Sequence, residues 1–589
     1  MSKHKKIFLV TTPIEDFWDF SRPMIFLGEW CYSFNRRHFL RSLNIQQLDS
    51  PYHKKYNSED TYKYINNLYE EYLDLLYPQL NVIHKLTLNK RGWRILIGPW
   101  LFMYISSLYD RYIHIDYAIK NLSQFSTIGM SEESFIVPSD TLDFTNLILN
   151  DRYNLQIFTR LLEFFNVSFD IRIPLEIKKN KRNFLRYKHF FAKCLNILFS
   201  QFHNKILLHS ANFSKLNLLK LFFNNFNLIS LHMPIYRYLN ESYMKKDKLK
   251  APDNRIFLNK KIISKKTKSL FDLFLLQTIS FDIPKYFIEE FNNSNMNAFC
   301  KANFIFSANG WYFDEHLKKS CAVSIEKGLT LLGTQHGGNY GIQKNLFSEE
   351  HELAIVDYYY SWGWIKKKSQ SKIIPMPSTK FTGRKKLNAN NSHKDILFGC
   401  ASSPRYLYQY PNLPIDHKEY LNWQIRFYKA INSSLRSKIL FRPHTEDYGW
   451  YFIDRLKSEI NEVRISSNKM SFFDSLSIAR IYVCDHISTT YIEALSANKP
   501  TILFYNPSSF KIRPESIKYF NLLEKVGILH KNPENASKTI DFIYDDIETW
   551  WNDKSRQKAI EIFCQRFAFS SLNDYKSWEN ELHRIGNKA

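Results

Sequence analysis

Short apolar runs that end in small or polar residues recur along this chain. Each predicts a buried strand opening into a loop. KKIFLVTT (5–12) is the first, and ILLHS (206–210) repeats the pattern. Between them, residues 58–125 carry a helical period, as in YINNLYEEYLDLLYPQL. From about residue 300 the alternation becomes regular. NFIFSANGW, TLLGTQHGG and DYYYSWG read as strands, and FDEHLKKSCAVSIEKG reads as a helix closed by Gly328. The polar, basic segment 368–386 reads as an interdomain connection, and the basic stretch 177–187 as an exposed one.

A second series follows the connection. DILFGCAS (395–402), SKILFRPH (437–444), IYVCDH (481–486) and PTILFY (500–505) are strands with helices between them at 420–434, 471–480 and TTYIEALSANK. Strands alternating with short helices predict α/β architecture with parallel, doubly wound sheets. The expected organisation is two Rossmann-like domains. Residues 1–385 form the first, with a helical insertion at about 58–125; residues 386–540 form the second. Helices at 541–589 pack back across both. Open sheets of this kind bind ligands at the carboxyl ends of their strands, so a cleft between the two halves is the expected site.

Four clusters of polar residues fall at such strand ends. In CDHISTTYIEALSANKPTILFY (484–505), Ser488, Thr489 and Thr490 open a helix whose N-terminus can hold a phosphate. Glu493, about one turn in, can reach ribose hydroxyls, although a capping turn with a solvated Glu493 accounts for the same letters. In LFRPHTED (440–447), Arg442 offers a fork of donors for phosphate oxygens, and His444 can bond a phosphate or a sugar hydroxyl. In GTQHGGNYG (333–341), Gly337 and Gly338 permit a tight turn and close backbone approach. The imidazole of His336 there suits general-base work or leaving-group stabilisation. A P-loop is excluded because GK[ST] is absent. In the N-terminal set, Asp16, beside Glu15, and Glu29 in FLGEWC are carboxylates that can deprotonate an acceptor hydroxyl, with aromatics able to stack on a sugar ring. Arg91, Arg94 and Arg111 can bind an anionic acceptor, but pairing inside a helical layer is the plainer reading. Neither HExxH, nor a DxD motif in a fitting context, nor zinc-type Cys/His spacing is present, so no metal site and no cofactor are expected.

Composition narrows the classes. The formal charge is +24, from 81 basic and 57 acidic residues. Solvated lysine-rich faces explain it, as does attraction to anionic lipid headgroups or phosphate-bearing substrates. No zinc-finger, RRM or KH signature supports nucleic acid as a partner. The seven cysteines are scattered and never paired as CxxC, which argues against a disulfide framework and suits a reducing cytoplasm. The uncharged run between Arg94 and Asp110 is shorter than the roughly 20 residues of a membrane span and is broken by Gly-Pro, so it reads as buried core.

TTPIEDFW, FLGEWC, RGWRILIGPWL, QHGGNYG, HELAIVDYYYSWGW, RPHTED and DHISTTYIEAL together resemble a transferase family of bacterial O-antigen and surface-carbohydrate loci, from Lys5 to about Tyr505. The C-terminal half is also similar to capsule-type Kdo transferases and, more distantly, to CDP-glycerol glycerophosphotransferases. That resemblance implies a GT-B architecture and a catalytic or phosphate-facing histidine at His336. It also implies donor phosphate binding at Arg442, His444 and Ser488–Thr490. One departure is Thr445, where related families often carry proline after the histidine. The expected activity is glycosyl transfer from a nucleotide-activated sugar, with CMP-linked acidic sugars as donors. The acceptor is a surface polysaccharide or a lipid-linked glycan, reached with peripheral contact to the anionic inner membrane. Helix dipoles and arginine can neutralise a leaving phosphate without a metal. Polyol-phosphate transfer from a CDP-linked donor, and a non-enzymatic basic scaffold for anionic polymer or membrane, are the alternatives.

Overall fold

The computed structural model describes residues 6–43, 45–54, 56–175, 194, 196, 205–233, 253–293, 302–366, 369–390, 392–410, 417–570 and 573–587. The basic stretch 177–187 lies outside the described residues. Three parallel sheets organise the chain.

The first sheet comprises β1 (Ile7–Val10), β2 (Met24–Phe26), β3 (Ile45–Gln47), β4 (Phe125–Met130) and β5 (Phe169–Ile173), in the order β3-β2-β1-β4-β5. The second comprises β6 (Ile206–His209), β7 (Ile229–His232), β8 (Phe304–Ser307), β9 (Thr330–Thr334), β10 (Tyr358–Ser361) and β11 (Lys372–Pro375), ordered β11-β10-β9-β8-β6-β7. The third comprises β12 (Ile396–Gly399), β13 (Ile439–Arg442), β14 (Arg464–Ile465), β15 (Ile481–Cys484), β16 (Thr501–Phe504) and β17 (Leu529–His530), ordered β14-β13-β12-β15-β16-β17. The third is the Rossmann strand order, and the second follows the flavodoxin-like one. These two form the facing pair of a GT-B architecture.

The sequence pattern predicts one sheet before residue 385; the structure has two there. The difference arises because β2 and β3 are three residues each and long helices separate them from β4. The segment 368–386, expected to be only a connection, also contributes β11 to the edge of the second sheet.

The helical period at 58–125 resolves into Ser58–His84 and Lys90–Asn121. The middle of the second helix, from Ile95 to Leu108, is almost entirely apolar and is buried on all sides. This helix packs against the helices Ser58–His84, Asp151–Phe164, Glu315–Ser324 and Phe347–Ile355, and so joins the first sheet to the second. Its charges are paired as the helical-layer reading expects. Arg94 forks onto Glu70, Arg91 meets Asp357, and the fully buried Arg111 meets Asp110 and Asn154. Among the described residues, no helix is long and apolar enough to cross a membrane.

The C-terminal helices cross between the sheets. Lys554–Phe567 packs on Pro514–Lys525 and Thr489–Ser496 of the third unit. Asp574–Gly586 then returns to the second, where Trp578, Leu582 and Ile585 join Phe306 and Tyr360 in one apolar cluster.

Three buried histidines set an acid limit. Burial lowers the imidazoles of His114 to about 4 and of His232 and His417 to about 3. Their folded-state pKa lies below the unfolded one, so the unfolded chain binds more protons once pH drops below about 6.5. Stability should therefore fall as pH descends from about 6.5 towards 4, by about 2 kcal/mol per histidine at pH 5. Melting temperatures measured between pH 7.5 and 5 check this; a flat profile refutes it.

Candidate active site

A cavity of roughly 370 Å³ opens at the carboxyl ends of β12, β13, β15 and β16. Its lining includes Ser402, Tyr406, Glu419, His444, His486 and Ser488, with Asn339 contributed by the loop after β9. The central pair β12–β15 is where the strand order of the third sheet reverses, the position at which such sheets hold their ligands.

The loop after β9 meets this region directly. The Gly338 N–H donates to Thr489 Oγ1 at 2.9 Å. A Cβ on Gly338 would stand 2.8 Å from both the Ser488 carbonyl carbon and the Thr489 Cα, and nearer still to the Ser488 oxygen. Glycine is thus required for a backbone-to-backbone approach. The contact continues outward. Lys344 N–H donates to Lys511 O, Arg513 N–H to Ile342 O, and the Arg513 guanidinium to the buried carboxylate of Glu349.

Gln335, fully buried, explains the pairing of QHGG with the later WGW. Its carbonyl oxygen accepts from Trp362 N–H at 2.9 Å and Trp364 Nε1–H at 2.7 Å, while its amide donates to Gly337 O at 2.8 Å. One side chain therefore fixes the glycine turn to the end of β10.

His336 is partly exposed, and its Nε2 lies 2.9 Å from Glu352 Oε1. Glu352 is completely buried and accepts further bonds from the hydroxyls of Tyr312 (3.0 Å), Tyr340 (2.7 Å) and Tyr359 (3.0 Å). Burial first, and the Glu352 charge second, raise these phenols well above their ordinary range, so they remain donors. With the imidazole donating through Nε2 to the carboxylate, Nδ1 carries the accepting lone pair.

The helix tip distributes its hydroxyls unevenly. Ser488 lines the cavity and caps Thr489–Ser496 by accepting from Thr490 N–H. Thr489 is used by Gly338, and Thr490 Oγ1 lies 3.5 Å from His486 Nε2 and 3.6 Å from Cys484 Sγ. His444 lines the cavity, with Nδ1 accepting from Glu446 N–H at 3.0 Å.

Of the expected residues only His444 and Ser488 line the cavity; His336, Gly337, Gly338, Thr489 and Thr490 are outside the lining, and Arg442, Glu493, Asp16 and Glu29 are too. Arg442 turns towards the helix Phe472–Ile478, donating to Ser475 Oγ at 3.0 Å and Met470 O at 3.0 Å. Glu493 is buried and paired with Arg384 and Lys380 of the connecting segment, so its face of the helix is the inner one. Asp16 is exposed on the turn Glu15–Phe17. Glu29 lies within the field of Arg455. Its neighbour Trp30 packs on Tyr406, with ring centroids 5.7 Å apart, so FLGEWC backs the cavity wall. Arg405 fastens that backing by donating to Trp30 O and to Asp151.

Three lining residues, Asp485, His486 and Glu419, carry chemistry that the sequence pattern does not reveal. Asp485 and His486 form a bonded pair at 2.7 Å, and Gln424 Nε2 donates to the second Asp485 oxygen at 2.7 Å. Burial opposes charge on His486, but Cys484 and Asp485 beside it outweigh burial and raise the imidazole above its ordinary range. Glu419 also lines the cavity and accepts from Trp423 Nε1–H at 2.7 Å. Among the described residues, no cluster of three or more His, Cys, Asp or Glu is arranged to hold a metal ion.

The family model of the LIC12162 family transferases matches residues 7–582. The chain belongs to this transferase family. No curated protein matches this member of the LIC12162 family. Among solved structures, it aligns with an S. aureus MnaA–UDP complex at 11% identity and TM-score 0.34, over 65% of this chain and 96% of the other. It aligns with sucrose-phosphate synthase from Thermosynechococcus elongatus at 11% identity and TM-score 0.35, over 66% and 100%. Acinetobacter baumannii MurG aligns at 10% identity and TM-score 0.29, over 64% and 99%.

Proposed function

We propose that this chain is a glycosyltransferase that moves a sugar from a nucleotide-activated donor to a hydroxyl of a surface polysaccharide or lipid-linked glycan. The observation that carries the reading is the Gly338–Thr489 contact. It joins the His336 loop of one Rossmann-like half to the helix tip at the cavity edge of the other. A nucleotide in the cavity would present its ribose to Glu419 and its phosphate to Ser488, the helix N-terminus and the His486 imidazole. The sugar would then project past Asn339 towards His336, which takes the proton of the acceptor hydroxyl through Nδ1 while Glu352 holds the ring. His336 fills this role better than Glu29 or Asp16, because its loop, unlike theirs, carries a residue, Asn339, into the cavity lining.

The described lining residues include no lysine or arginine; the imidazoles of His444 and His486 are the basic side chains among them. That balance favours a donor with one phosphate, such as a CMP-linked acidic sugar, over one with a diphosphate. Titration calorimetry with CMP, UDP and GDP tests the reading. CMP should bind most tightly, and Ser488→Ala should weaken it. A folded protein that binds none of the three would defeat the proposal. A phosphodiester in the product would assign the chain to polyol-phosphate transfer instead.

A further inference from the structure

The helix Lys215–Asn224 covers one flank of the second sheet and is amphipathic in an unusual sense. Its inner face buries Leu221 and Phe222 in the cluster of β6, β7 and the C-terminal helix. Its outer face is also apolar. Leu216 is 73% exposed, Leu219 46% and Phe223 68%, and they recur at i, i+3 and i+7, which places them on one stripe. Phe226, just past the helix, extends it. Water solvates such a stripe poorly, and contiguous exposed apolar surface rimmed by polar residues marks an interaction site.

The rim is cationic. Lys215 and Lys220 flank the stripe and are exposed. The basic turn 382–386 is tied to the helix, because Asn217 Nδ2 donates to Thr382 O at 2.9 Å and Gly383 abuts Asn217. Lys385 on that turn is exposed. Glu579, which accepts from Asn225 on the inner side, is the acidic neighbour. The molecule as a whole carries +24.

We infer that this helix docks the protein on a bilayer surface bearing anionic headgroups. Leu216, Leu219 and Phe223 would enter the acyl boundary, and Lys215, Lys220 and Lys385 would meet the phosphates. Large apolar side chains on one side and lysines around them match an interfacial helix lying in the plane of the membrane. Lysines near an anionic leaflet add attraction that fades within a Debye length. A protein partner would have to supply both a matching groove and acidic residues; the bilayer supplies both chemistries in one surface.

Flotation of the full chain with vesicles tests the assignment. The protein should float with phosphatidylcholine vesicles containing phosphatidylglycerol and remain at the bottom with pure phosphatidylcholine. Leu219→Asp/Phe223→Asp should reduce the floating fraction at least about tenfold with an unchanged melting temperature, since both side chains are already exposed. Should that pair disturb folding, Lys215→Glu/Lys220→Glu supplies the same reading through charge. Three outcomes would overturn the inference: no flotation of the wild type, flotation of either double variant at wild-type level, or a concentration-dependent dimer that the same substitutions dissociate. Vesicle binding and nucleotide binding are separate measurements, so either can fail without the other.

Discussion

Replacing His336 with alanine should lower kcat by about 10²–10⁴-fold while nucleotide affinity stays within about twofold, because the imidazole acts on the acceptor rather than on the donor. Glu352→Gln should lower kcat at least about tenfold, through loss of the carboxylate that fixes the tautomer and orientation of the ring. The two effects should not add, since both remove the same oriented base. Steady-state kinetics of the single and double variants, with calorimetry for the donor, provide the check. Full activity in His336→Ala would remove the imidazole from the mechanism. A weakened nucleotide with unchanged kcat would move it to donor binding. Glu352 is completely buried under three tyrosine hydroxyls, so the Gln variant also needs a melting curve. A large drop in stability would indicate that the carboxylate serves the core as much as the ring.

Gly338→Ala is expected to cost about 10²-fold in kcat/KM, although the substitution adds a single methyl group. That methyl would sit 2.8 Å from backbone atoms of Ser488 and Thr489, which cannot swing aside as a side-chain end can. The two halves must separate to admit it, and a shift near 1 Å between a base and a bound donor is enough for such a loss. The accompanying destabilisation should be about 1–3 kcal/mol, the usual range for overpacking. Gly337→Ala is the internal control. A Cβ there would meet Tyr340 at 3.7 Å and Thr489 Oγ1 at 3.9 Å, which is ordinary contact, so activity should be nearly retained. Equal losses in the two variants would mean that loop flexibility, rather than the approach of the halves, is what matters.

The regular alternation after residue 300 was legible because the central strands there are fully buried apolar runs followed by turn residues, as in ILFG at β12 and IYVC at β15. Proximity of QHGG to the Ser488 turn was legible for the same reason: both follow strands of sheets that open on one cleft. Other features turn on three-dimensional facts without a sequence period. The extra N-terminal sheet was hidden because β2 and β3 are too short to outweigh the helices around them. Arg442 ends a strand as phosphate-binding arginines do, yet its guanidinium is bonded to Ser475 and Met470 O and does not line the cavity. Glu493 resembles an outward carboxylate one turn into a helix, but the connecting segment folds over that face and brings Arg384 and Lys380. Glu352, in a run of acidic letters, reads as solvent-facing until Tyr312, Tyr340 and Tyr359 converge on it. His486 was masked by its position in a strand-ending CDH, where only contacts with Asp485 and Thr490 distinguish it from a loop residue.

The return of Asp574–Gly586 has a consequence for biogenesis. Trp578, Leu582 and Ile585 complete the apolar cluster over β6, β8 and β10, and Trp578 also donates to Pro377 O at 2.9 Å. The last of those strands ends at Ser361, whereas the covering helix begins at Asp574. On the ribosome, the middle sheet must therefore wait with one flank bare while the whole third unit is made, which exposes apolar surface of the kind chaperones hold. Vectorial synthesis thus makes the third Rossmann unit free to finish before the second, against their order in the chain.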